Sequence, residues 1–219
     1  MVSSLVRPQS RGYRIAKRAL DVVLSLVGLV LLVIPAVLIA IAIVLDSSGG
    51  PLFRQERVGK DLCVFKMLKF RTMMAGNDPS IHREFSSQLI DGTASPHVGP
   101  NGEELYLLDD PRVTRVGRFL RRTSLDEIPN LVNVLLGQMS LVGPRPPIPY
   151  EVEQYDEWAL QRLEVKPGVT GLAQISGRGA LTFQEVVTYD LEYIERASFW
   201  YDVYIILATI PAVFRRRGV

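Results

Sequence analysis

Residues 22–45 read VVLSLVGLVLLVIPAVLIAIAIVL, an uncharged run of 24 residues, eighteen of them Val, Leu or Ile. As a straight helix this run would extend about 36 Å, more than a hydrocarbon core of about 30 Å requires. At roughly 0.3–0.6 kcal/mol per branched aliphatic, insertion into a bilayer is favoured by several kcal/mol. The run is too long for the apolar core of a cleaved leader, although Ala40-Ile41-Ala42 looks like a cleavage site. Pro35 stands near its middle, where a proline removes a backbone donor and costs about 3 kcal/mol in a helix. A kinked span accommodates such a residue, and so does a re-entrant hairpin that enters the bilayer and turns back. The flanks fit the hairpin. Arg14, Lys17 and Arg18 precede the run while Arg54, Arg57 and Lys60 follow it, so both sides carry positive-inside charge. On the residues alone, the two topologies stay open.

Outward from this segment the chain is ordinary: 219 residues, 47% apolar, net charge +2. Its basic residues gather at the ends, Arg7 to Arg18 before the apolar run and Arg215 to Arg217 at the close. Basic ends beside apolar stretches suit anionic lipid headgroups, at roughly 1 kcal/mol per charge near the surface. Nucleic acid is disfavoured, because no basic stripe carries interleaved aromatics. The single cysteine, Cys63, cannot form an internal disulfide. Ser47-Ser48-Gly49-Gly50-Pro51 is a breaker, which divides the chain into a basic N-terminus with its membrane helix (1–50) and a globular domain (51–219).

Within the second part, Leu52–Arg57 and Cys63–Lys69 flank Val58-Gly59-Lys60-Asp61 and read as a short β-hairpin. Ala75 to Asp110 reads as a long loop with one helix near Ile81 to Leu89, a lid or an insert. Helical spacing returns after Pro111, with Val116, Phe119 and Leu120 on one face. Further helices are expected over Ile128–Leu141, Val152–Leu163 and Phe183–Ile194, with a glycine-rich loop over Val165–Gly179. Phe199–Phe214 opens with aromatics, carries Asp202 and suits a helix lying in the interface, with a buried core helix as the alternative. The fold class is therefore α+β and mostly α, with a small helical domain, a short β-hairpin and interfacial amphipathic helices.

Two blocks carry chemistry. Arg121-Arg122-Thr123-Ser124-Leu125-Asp126-Glu127-Ile128-Pro129 places two carboxylates beside two arginines at an expected helix start. Its bland explanation is a capping box between Ser124 and Glu127, with acid complementing the helix dipole. Its chemical explanation is a carboxylate nucleophile that accepts a phosphoryl group, Asp126, beside a carboxylate, Glu127, able to hold Mg²⁺. In Gly143-Pro144-Arg145-Pro146-Pro147 the prolines stiffen the backbone around one guanidinium, whose planar fork matches phosphate oxygens. A rigid surface turn is the alternative. Lys69-Phe70-Arg71 ends the expected hairpin with two more cations. His82 and His97 have no metal-ligand spacing, and there is no Walker A, nucleophile elbow or dinucleotide fingerprint.

Together these blocks resemble the bacterial sugar transferases, the small monotopic polyprenyl-phosphate phosphoglycosyl transferases. The resemblance runs from about Lys17 to Arg215. It is carried by Lys17-Arg18-Ala19-Leu20-Asp21, Phe53-Arg54-Gln55-Glu56-Arg57-Val58-Gly59, Lys69 to Met73, Arg121 to Pro129, Met139 to Pro146, Val165 to Gly171 and Asp190 to Glu195. It implies a re-entrant membrane helix broken at Pro35. It also implies a catalytic domain on the cytoplasmic face of the inner membrane. The implied reaction moves a sugar 1-phosphate from a UDP-sugar to polyprenyl (undecaprenyl) phosphate, with Mg²⁺ and release of UMP, as the first membrane step of surface glycan synthesis. Asp126 matches the covalent nucleophile and Glu127 its partner carboxylate, the pair also serving the metal. Lys69, Arg71, Arg121 and Arg145 match residues around the nucleotide and its phosphates. The implied partners are the UDP-sugar, polyprenyl phosphate and membrane lipids; a homodimer is left open. The chain departs from the family pattern at Ala173, where a tryptophan is usual, and at Gln138, where an aspartate is. A non-catalytic membrane adaptor that recruits later glycosyltransferases is the competing expectation.

Overall fold

In the computed structural model, residues 10–74, 76, 80–93, 112–177 and 181–214 are described. His97, Arg178, the basic cluster at 215–217, Arg7 and most of the expected 75–110 insert lie outside them. The chain begins with helix α1 (Arg11–Asp46), capped where the Ser10 side chain accepts from the Tyr13 N–H. It is long and apolar enough to cross a membrane, and only 6% of its most apolar 18-residue window is buried. The helix of a soluble core would hide most of such a window, and this one presents Val30, Leu31, Ile34 and Leu45 outward.

Helix α1 runs through Pro35 without interruption. The expected break is therefore not a gap in secondary structure; a proline inside a long helix can be absorbed as a local bend. Both ends of α1 rest on the same globular body. At its start, Lys17 Nζ donates to Val142 O, Tyr193 Oη and Asp202 Oδ2 at 2.9, 3.1 and 3.1 Å. The Arg18 guanidinium reaches the carbonyls of Val134 and Leu135, both at 2.7 Å. Asp21 Oδ1 accepts from Ser140 Oγ and Leu141 N. Lys17 and Arg18, expected at lipid headgroups, are thus engaged inside the protein. At the other end Asp46 Oδ2 accepts from Val116 N at 3.0 Å, and Arg71 holds the carbonyls of Ser47, Ser48 and Gly49.

Strands β1 (Leu52–Val58) and β2 (Val64–Phe70) form the expected antiparallel hairpin, with Phe53 opposite Lys69 and a 3₁₀ turn at Lys60–Leu62 between them. Helix α2 (Ser80–Ile90) matches the helix read near Ile81–Leu89. In α3 (Arg115–Thr123) Leu120 is fully buried and Val116 packs beside it, whereas Phe119 points outward at 57% exposure, against its expected inward position. Gly117 is required here, because a Cβ would meet Thr72 O at 2.0 Å.

The apolar run after Pro129 divides. Helix α4 (Asn130–Leu135) stops before Gly137, whose φ of +78° favours glycine, and β3 (Ser140–Val142) follows. Short α5 (Pro149–Val152) and α6 (Glu157–Leu160) and a 3₁₀ turn at Gln161–Glu164 replace the continuous helix expected over Val152–Leu163. The expected loop over Val165–Gly179 instead holds β4 (Gly168–Thr170), parallel to β3, and α7 (Leu172–Ser176). A Cβ at Gly168 would lie 2.2 Å from Gly143 N, so the two backbones meet only because neither residue has a side chain.

Helices α8 (Phe183–Arg196) and α9 (Phe199–Phe214) close the chain. Ile194 of α8 and Ile205 of α9 join Val142, Leu172 and Tyr193 in one core cluster. Asp202 is buried, while Trp200, Tyr204 and Leu207 on the other side of α9 are exposed. One face of α9 is therefore core and the other apolar surface.

Candidate active site

Lys69 lies on β2 two and four residues beyond the buried Met67 and Phe65, so alternation aims it inward with them. The edge of β2 beside it is closed by Asn133, whose Oδ1 accepts from Leu68 N at 3.0 Å while Nδ2 donates to Lys66 O and Gln138 Oε1. Gln138, the departure from aspartate, here accepts a hydrogen bond from Asn133. Ala173, the departure from tryptophan, is buried in α7.

Asp126 and Glu127 sit on a 3₁₀ turn, Leu125–Glu127, entered through Ser124 in the left-handed region at φ 58°. The Ser124 side chain caps nothing on this turn, so the expected capping box with Glu127 is absent. Leu125 and Ile128, on either side of the carboxylates, pack with Leu32, Ala36, Ile39, Ala40 and Ile43 of α1. The acidic pair is consequently set against the second half of the apolar helix.

Four of the predicted residues converge. Lys69 Nζ is 2.7 Å from Glu127 Oε1 and 3.9 Å from Asp126 Oδ2. Arg145 Nη1 reaches the same Glu127 oxygen at 3.3 Å. Burial by itself would raise the Glu127 carboxyl, but Lys69 and Arg145 outweigh it and hold the group at about 2. Burial pushes Asp126 up from the ordinary aspartate value, with Lys69 opposing. Burial likewise lowers Lys69, against the pull of Glu127. The Lys69–Glu127 contact is short and doubly charged, and so strongly attractive.

The remaining predictions divide. Arg121 Nε donates to Thr72 Oγ1 at 3.0 Å, and its charge lowers Asp126 slightly. Arg71 is buried and turned to the carbonyls after α1, so the structure places it as a clasp on the end of α1 rather than with the carboxylates. Pro35 lies within α1. Arg57, expected as a flank charge, is instead buried and donates to Pro146 O at 2.8 Å, and the buried pair Arg162–Asp190 at 2.5 Å escaped the sequence reading in any specific role. Arg57 and Asp190 fall inside the blocks that carried the resemblance, a signal that marked them without assigning their contacts.

The arrangement can neutralise phosphate oxygens with Lys69 and Arg145 while leaving Asp126, which accepts no hydrogen bond among the described residues, open to reaction. Its two carboxylates also fit an oxygen-seeking divalent ion that completes its shell with phosphates. Among the described residues no set of three or more His, Cys, Asp or Glu converges to cage a metal by protein alone.

Comparison with known proteins gives the family of the chain. The family model described as "Bacterial sugar transferase" matches residues 12–216. The chain is 42% identical over 209 residues to "Galactosyl transferase CpsE" of Streptococcus agalactiae, covering 94% of this chain and 44% of that protein. It is 41% identical over 209 residues to "Exopolysaccharide production protein ExoY" of Rhizobium meliloti, covering 93% and 87%. It is also 41% identical over 213 residues to the "UDP-glucose:undecaprenyl-phosphate glucose-1-phosphate transferase" of Escherichia coli, covering 93% and 41%. The chain therefore spans less than half the length of the first and third of these relatives and most of the second.

Proposed function

The chain belongs to the bacterial sugar transferase family, and from that premise we propose that it moves a sugar 1-phosphate from a UDP-sugar to undecaprenyl phosphate, with UMP released. The names of its relatives support the substrate classes. The observation that carries the chemistry is the division of labour at the 3₁₀ turn: Glu127 is held by Lys69 at 2.7 Å and Arg145 at 3.3 Å, whereas its neighbour Asp126 has only the longer 3.9 Å contact with Lys69.

An Asp126 oxygen attacks the phosphorus that bears the sugar. An acyl phosphate joining Asp126 to the sugar phosphate forms, the phosphoanhydride bond breaks, and its electron pair leaves with UMP. A phosphate oxygen of the lipid then attacks the same phosphorus, forming the lipid pyrophosphate and returning Asp126 as carboxylate. The charge transferred is balanced at each stage, so no oxidant or reductant enters. Lys69 and Arg145 neutralise the equatorial oxygens, and Glu127 holds both cations in place. Mg²⁺, held by Asp126 and Glu127, would supply further neutralisation of the donor phosphates.

One catalyst must meet a soluble nucleotide and a long lipid. In this proposal α1 is re-entrant, bent at Pro35 with both ends on the cytoplasmic face of the inner membrane. The seating of Lys17 and of Asp46 on the same body supports it, as does the basic character of both flanks. The bare apolar side of α9 lies in the interface. Incubating the protein with individual UDP-sugars, Mg²⁺ and undecaprenyl phosphate tests the reading. UMP release with at least one sugar, abolished in Asp126→Asn, is the expected result. Silence with every sugar would leave the adaptor reading standing.

A further inference from the structure

Between Gly143 and Ile148 three prolines leave the chain few N–H groups and a run of carbonyls to satisfy. Four consecutive carbonyls each accept a bond from a different donor. Pro144 O accepts from Gly168 N at 2.8 Å, and Pro147 O from Val58 N at 2.9 Å. Arg145 O accepts from Arg162 Nη2 at 3.3 Å, and Pro146 O from Arg57 Nη1 at 2.8 Å. The outer two donors are backbone groups of or beside the neighbouring strands. The inner two are guanidiniums, only 8% (Arg57) and 5% (Arg162) exposed.

Burying two cations for a mere surface turn would be unfavourable, since backbone or water could satisfy the same carbonyls. Each cation is also supported from outside the loop. Arg162 pairs with Asp190 of α8 at 2.5 Å and donates to Tyr155 Oη at 3.0 Å. Arg57 is braced by Gln55 Oε1 at 2.6 and 3.1 Å. Charge-assisted bonds are roughly twice as strong as neutral ones, so these two hold the main chain firmly at and just after Arg145. The Arg145 side chain itself is 49% exposed, with Glu127 as its side-chain partner among the described residues, and so depends on its backbone for direction.

We infer that Arg57 and Arg162, the latter fixed by Asp190, are positioning residues that aim the Arg145 guanidinium at the donor's phosphates. The inference rests on the proposed reaction, in which Arg145 neutralises those phosphates. It assigns a mechanical task to α8, whose Asp190 is remote in sequence from the carboxylates. Neither cation touches the reacting atoms; both act through one loop.

The test is a set of background comparisons. Arg57→Gln and Arg162→Gln are made in the wild-type chain and in Arg145→Ala. Single-turnover UMP release without lipid acceptor is measured alongside thermal melting. In the wild-type background each change should slow release by about 10- to 100-fold, the scale expected from a small misplacement of a catalytic group. In the Arg145→Ala background the same changes should have almost no further effect, because no guanidinium remains to aim. Equal losses in both backgrounds, or no loss in either, would overturn the inference. If a glutamine variant melts below the assay temperature, Arg162→Lys keeps the charge beside Asp190 and should give a smaller loss with the same background dependence. Affinity for UDP, measured by calorimetry on the same set, carries the comparison without turnover. A wild type that releases no UMP therefore defeats the proposed reaction, while the pattern of UDP affinities still decides the clamp.

Discussion

Asp126 and Glu127 are neighbours in the chain whose carboxyls are shifted in opposite directions. Lys69 Nζ lies 2.7 Å from Glu127 Oε1 but 3.9 Å from Asp126 Oδ2. Glu127 is held at about 2, while burial raises Asp126. A 3₁₀ turn makes this separation, since consecutive side chains on it diverge. One carboxylate keeps the cations in place and the other stays available.

The two acids should therefore answer differently to loss of charge. Asp126→Asn removes a charge that burial disfavours, so its melting temperature should equal or exceed that of the wild type while UMP release falls by about 10³-fold or more. Glu127→Gln strips the shared anion from Lys69 and Arg145 and should lower both stability and rate. Paired melting and single-turnover measurements check this. A strongly destabilised Asp126→Asn would contradict it.

Acid should erase the contribution of Glu127. Its folded value of about 2 lies below its ordinary 4.5, so its stabilisation is fully present above about pH 4.5 and disappears as pH falls through 2. Lys69 shifts downward too, so the pair contributes less than Glu127 considered alone. Urea unfolding of wild type and Glu127→Gln should show a gap near pH 7 that narrows toward pH 3. A gap independent of pH would be inconsistent with the ion contacts.

The seat of α1 rests on a buried charge. Asp202 is side-chain buried and takes hydrogen bonds from Lys17, Tyr13 and Tyr193. Asp202→Asn leaves the Lys17 ammonium without its anion and should destabilise the protein by about 3 kcal/mol. Denaturant unfolding in detergent measures it. A change below about 0.5 kcal/mol would mean that the cluster does not secure the anchor.

Topology is accessible through two glycines. A Cβ at Gly12 or at Gly50 would meet nothing within 4 Å, so cysteines fit both positions, and the native Cys63 is exposed. With Cys63 replaced by serine, Gly12→Cys and Gly50→Cys should react with an impermeant maleimide from the same side of the membrane, the side from which native Cys63 reacts. Labelling from opposite sides would establish a span.

Much of this was legible in the chain. The β-hairpin showed because a polar turn, Val58 to Asp61, interrupts two short runs, and α8 because its amphipathic period is long. The run Ile128–Leu141 misled because a short buried strand and a buried helix look alike in composition. The glycine-rich stretch hid β4 and α7, since Gly143 and Gly168 serve a close backbone approach rather than a loose loop. Asp126, Glu127, Lys69 and Arg145 come from three separate blocks of the sequence, and the structure brings their side chains together. Arg71, Arg57 and Arg162 were not separable by sequence: a cation that clasps carbonyls and one that meets phosphate carry the same local signature. Only tertiary placement distinguishes them.

The most direct measurement is peptide-level mass spectrometry of protein incubated with its UDP-sugar and Mg²⁺, without lipid acceptor, then quenched. The account predicts the mass of one phosphosugar on the peptide containing Asp126, absent from Asp126→Asn and discharged when undecaprenyl phosphate is added. Steady turnover with no adduct at Asp126, or an active Asp126→Asn, would contradict it.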